Sequence, residues 1–135
     1  VKALLNLYAE IFDGLRGYYV RKKGDSSGAS FMAVSALSAL LVFNVGVTLS
    51  LVDILIFGRL VAAPWVLSNR AWIVLASVGA FFLNRGIAKA TGVYGRRGPA
   101  RTTRWVVPFQ YYLVATAINF VITTILVISR VPRAG

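Results

Sequence analysis

The sequence predicts an all-α integral membrane protein: three transmembrane helices preceded by an N-terminal amphipathic interfacial helix. Three observations carry that expectation. Of 135 residues, 58% are apolar and 14% charged, against about 25% charged in an average soluble domain. Residues 26–52 and 105–129 contain no charge at all, and each exceeds the roughly 20 residues a helix needs to cross a bilayer core. The 15 bases and four acids, a net charge of +11, are sorted along the chain rather than spread evenly.

Residues 1–20 come first. Leu4, Tyr8, Ile11, Phe12, Leu15 and Tyr19 recur at helical spacing, with Lys2, Glu10, Asp13 and Arg16 between them. That pattern reads as a helix lying on the cytoplasmic membrane surface, its charged residues solvated. The competing reading packs it on a partner subunit. The first span is expected at 29–52, after the turn and cap residues Asp25, Ser26, Ser27 and Gly28. Ser35, Ala39, Val42, Gly46, Ser50 and Asp53 share one face of it at 100° per residue, small enough for close helix approach. Asn44 lies opposite, so burial there requires neighbours on two sides.

The middle span is shorter in appearance. Only residues 71–84 are uncharged between Arg70 and Arg85, about 21 Å of helix. Snorkelling of the two arginines to opposite interfaces extends it. With Ser68 or Asn69 as cap and Gly92 as stop, the span reads as 69–91. Residues 53–68, broken by Gly58 and Pro64, form an outer connection or re-entrant turn. The last span is expected at 105–129, with Tyr112, Thr116, Asn119 and Thr123 on one face and Gln110 pointing away. The whole chain, 1–135, is then a single membrane domain.

Charge orients these spans. Lys2, Arg16, Arg21, Lys22 and Lys23 precede the first span; Arg85, Lys89, Arg96, Arg97, Arg101 and Arg104 surround the loop at 92–104. The opposite side holds Arg59, Arg70, Arg130 and Arg133. An N terminus inside and a C terminus outside satisfy this division. Tyr18, Tyr19 and Trp105 then fall at the inner interface and Trp65 and Trp72 at the outer. The expected location is a bacterial inner membrane or an equivalent energised membrane.

Composition excludes several chemistries. With neither His nor Cys, the chain lacks the usual ligands of haem, iron–sulfur clusters and tetrahedral zinc. Ser-His-Asp and Cys-His nucleophile systems are also out. The lysines, Lys2, Lys22, Lys23 and Lys89, all fall on the inner side, away from the outer face where Ser–Lys membrane peptidases act. No cofactor and no enzymatic activity are expected. Arg96, Arg97, Arg101 and Arg104 set topology and attract anionic lipid headgroups, at about 1 kcal/mol each. No groove or stacking platform for nucleic acid accompanies them. Asp53 reads as an outer-end ion-pair partner of Arg59 or Arg70, with a proton or cation relay as the sharper alternative.

Three helices meeting along single stripes leave Asn44 and Gln110 facing lipid, unless Gln110 reaches the interface, which argues for other membrane subunits or a homo-oligomer as partners, besides membrane lipids. The function expected is a non-catalytic accessory or scaffolding subunit of a larger membrane complex. A homo-oligomeric transporter or channel, and an immunity-type protein blocking a membrane-acting toxin, are the alternatives.

Overall fold

The structure, a computed structural model, describes residues 1–23, 28–96 and 106–130. Among these residues every regular element is helical: α1 (Lys2–Lys23), α2 (Ala29–Phe57), α3 (Ala62–Ser68), α4 (Arg70–Ala90) and α5 (Val106–Arg130). Helices α2, α4 and α5 are each long and apolar enough to cross a membrane.

Helix α2 exceeds its expected end at residue 52 by five residues. After Asp53 the run Ile54, Leu55, Ile56, Phe57 gives the backbone no reason to stop. Gly58 does: its φ of 66° suits a residue without Cβ, and its N–H closes on the Ile54 carbonyl at 3.0 Å. The expected outer connection at 53–68 is therefore corrected. Its first five residues extend α2, and residues 62–68 are the short helix α3. Helix α4 starts where Asn69 offers its side-chain oxygen to the Ala71 N–H at 3.1 Å. It ends at Thr91, with Gly92 beyond at φ 69°. Pro108 sits in the first turn of α5, where its missing N–H costs nothing.

Helix α2 is the centre of the fold. Helix α4 packs along one side of it and α5 along another, while α4 and α5 make no mutual approach within 8 Å between Cα atoms. The spans thus form an open row, α4–α2–α5. Helix α1 crosses that row at one end and touches all three.

Helix α1 packs against the spans through its middle turns. Residues 12–17 are all buried, around the full circumference of the helix rather than on one stripe. The apolar core lies here: Phe12 and Leu15 meet Ala33, Val34 and Leu37 of α2, Ala88 of α4, and Val93. Ser30 at the start of α2 accepts the Gly95 N–H at 3.0 Å, tying the segment after α4 into the same cluster.

Candidate functional site

Polar side chains within the spans gather at two seams on α2. On the α4 side, Asn84 is buried and donates from Nδ2 to the Ser38 hydroxyl at 3.1 Å and to the Ala80 carbonyl at 2.9 Å. The Asn84 carbonyl in turn accepts the Tyr8 hydroxyl at 3.0 Å, which links α1 to α4. Burial pushes the Tyr8 phenol up to about 12.

On the α5 side, Asn44 donates from Nδ2 to the Tyr112 hydroxyl at 2.8 Å, to Thr116 Oγ1 at 3.0 Å and to the Leu40 carbonyl at 3.0 Å. One turn further out, Asn119 donates to Thr48 Oγ1 at 3.3 Å. Thr123 is buried beyond it. Tyr112, Thr116, Asn119 and Thr123 therefore line the face that α5 turns to α2. The expectation that Asn44 faces lipid is corrected, since two-sided packing of α2 gives it partners within the chain. Gln110, the other half of that mismatch, is exposed as expected.

The small-residue face expected on α2 is only partly a packing face. Gly46 lines an apolar groove of about 320 Å³ between α2 and α4, opposite Ala76, Gly79 and Ala80. Ser50 lies one turn on and bonds back to the Gly46 carbonyl. Ser35 also bonds within its own helix, to Phe31, and Ala39 is exposed. The residues α2 buries near its start are instead Ser30, Ala33, Val34, Leu37 and Ser38, a stripe rotated from the expected one because α1 covers it.

Asp53 is buried, but it pairs with neither arginine. Its Oδ2 accepts the Val61 N–H at 2.9 Å and the Ala63 N–H at 2.7 Å, capping α3 across the turn at Gly58. Arg59 and Arg70 are exposed and form no ion pair among the described residues. The expected Asp53–Arg59 or Asp53–Arg70 bridge is replaced by backbone capping, since the N–H groups at the start of α3 lie closer than either guanidinium.

The ion pairs among the described residues are at the other end. Arg16 donates from Nε at 3.1 Å and from Nη2 at 2.7 Å to Asp13 Oδ1, and from Nη1 to the Arg96 carbonyl at 2.6 Å. Asp13 is 4% exposed and Arg16 0%, so of the expected solvated polar face Lys2 and Glu10 are exposed while Asp13 and Arg16 form a buried pair. Arg96 Nη1 lies 3.8 Å from Asp13 Oδ2, which holds this arginine against the protein. Arg97, Arg101 and Arg104 lie outside the described residues, as does Trp105.

Between the two seams lies a cavity of about 230 Å³, bordered by Leu7 and Tyr8 of α1, Leu37 and Leu41 of α2, Asn84 of α4 and Tyr112 of α5. Sequence reasoning passed over Tyr8, Ser38 and Asn84 as site residues. A single amide in the apolar run before Arg85 was the available signal for Asn84. The i, i+3 spacing of Asp13 and Arg16 was the signal for the buried pair.

No protein family model matches the chain, and no curated protein or solved structure matches it either.

Proposed function

We propose that this chain is a non-catalytic membrane subunit that works by offering helix faces to a larger membrane assembly, with lipid filling the remainder. The observation that carries the reading is the open row: α4 and α5 both lean on α2 and not on each other. Only 17%, 17% and 11% of the apolar stretches of α2, α4 and α5 are buried within the chain. The buried side-chain amide and hydroxyl contacts lie at the seams on α2, and the outward faces, although they carry Ser77 and Gln110, are mostly apolar and suited to another transmembrane surface.

The orientation proposed is N terminus inside, in a bacterial inner membrane or its equivalent. Support comes from the charge division and from the odd number of spans. Helix α1, Arg85, Lys89 and Arg96 gather at one end, and Arg59 and Arg70 at the other.

The test places photo-crosslinking residues at Val74 and Phe82 on α4 and at Ile118 and Ile125 on α5, all exposed. Crosslinking in the native membrane, followed by gentle extraction, is expected to join these positions to one stoichiometric partner protein. Crosslinks solely between copies of the chain would shift the reading to a homo-oligomeric transporter or channel. Crosslinks to lipid alone would overturn it.

A further inference from the structure

The cavity between the two polar seams has the makings of a ligand site, and its occupant is independent of the subunit reading above. The geometry points to binding of a neutral acylglycerol, with its hydroxyl and ester carbonyl held between Asn84 and Tyr112 and its acyl chain leaving between α4 and α5. Four features argue for this chemistry.

First, the cavity lies in the space left by the separation of α4 and α5, with α1 across it. Such a position is open to molecules arriving through the membrane. Second, apolar side chains make up most of its lining and no charged residue borders it, which disfavours an ionic headgroup. Third, two hydrogen-bonding functions on its wall are unused among the described residues. Tyr112 accepts from Asn44 but its hydroxyl proton has no acceptor, and the Asn84 side-chain oxygen has no donor. A ligand that supplies one acceptor and one donor a few atoms apart satisfies both; an ester carbonyl beside a glycerol hydroxyl does so. Fourth, Asn84 lies six residues from the end of α4 and Tyr112 six from the start of α5, about 9 Å along each axis. Both groups therefore sit toward the α1 end of the spans, nearer the headgroups than the middle of the hydrocarbon core.

The experiment uses the full chain reconstituted in phosphatidylcholine vesicles with a trace of a monoacylglycerol bearing a diazirine in its acyl chain. After irradiation, labelled peptides are mapped by mass spectrometry. Label is expected on the residues of α1, α4 and α5 around the cavity, displaced by unlabelled monoolein and not by phosphatidylglycerol. Tyr112→Phe removes one hydrogen bond to the ligand and should weaken labelling roughly fivefold. It leaves Asn44 bonded to Thr116 and Leu40, so the fold is retained. Leu7→Trp fills the cavity from α1 and should abolish the label. If Leu7→Trp fails to fold, the Tyr112→Phe result decides. Label spread evenly over outward residues such as Val74 and Ile125, or unchanged by Tyr112→Phe, overturns the proposal. Displacement by phosphatidylglycerol overturns the neutral class of ligand.

Discussion

Tyr8 shows how a residue that reads as one apolar repeat among several gains a specific role from its surroundings. Its hydroxyl reaches a backbone carbonyl on α4, 76 residues away, and burial raises its pKa to about 12. The folded state therefore holds this proton more tightly than the unfolded chain, whose value is 10.0. The corresponding stabilisation is complete below pH 10 and lost as pH rises through about 12. Ultraviolet titration of the purified protein should show a late phenolate step that Tyr8→Phe removes. Asp13 and Arg16 are a second case. Both are charged and buried, so removing one partner strands the other. Asp13→Ala should cost about 3–5 kcal/mol, read as a large drop in thermal stability in detergent; substitution of the exposed Glu10 should leave it nearly unchanged. From sequence these residues look alike, because a charge on a helix carries no mark of what will cover it. The segment after α4 and the start of α2 cover this one.

At the scale of elements, the joints between helices are short polar contacts within long apolar seams. Interhelical hydrogen bonds in membranes average about 0.6 kcal/mol, so they set register more than stability. Since the chain has no cysteine, engineered pairs report register directly. Thr48→Cys with Asn119→Cys should form a disulfide on oxidation, because the two side chains already meet at 3.3 Å. Phe82→Cys with Ile118→Cys should not, because α4 and α5 stand apart. Gel mobility under non-reducing conditions checks both. The turn between α2 and α4 rests on Asp53. Asp53→Ala leaves the Val61 and Ala63 N–H groups without their acceptor and should destabilise by about 1–2 kcal/mol. Asp53→Asn keeps an acceptor and should be milder, and Arg59→Ala or Arg70→Ala should have little effect on the melting temperature. A loss with either arginine variant equal to that of Asp53→Ala would restore the ion-pair reading. These elements were legible to different degrees. The apolar run and Gly58 are both visible in the sequence, yet Asp53 hid the continuation of α2. A lone carboxylate in such a run looks like an end until its backbone partners on α3 are seen.

For the whole molecule, the open row of spans explains both the closed polar seams and the bare outer faces. Helix α2 has neighbours on two sides, so its Ser38 toward α4 and its Asn44 toward α5 both find partners, while α4 and α5 keep exposed apolar surface. The proposed orientation has a direct check. Single cysteines at Leu4 and at Ser68 should react with a membrane-impermeant maleimide from opposite sides of sealed vesicles, Leu4 from the side that was cytoplasmic. The sequence by itself determined the all-helical class, the three helices long and apolar enough to span a membrane and most of their ends, since unbroken apolar length, caps and glycines act locally along the chain. Only the tertiary structure decided which faces meet, that the middle of α1 is buried against the spans, that Asp53 caps a helix, and that a cavity separates the two seams. Each of these depends on which distant groups arrive beside a residue, and helical spacing records the direction a side chain points but not its eventual neighbour.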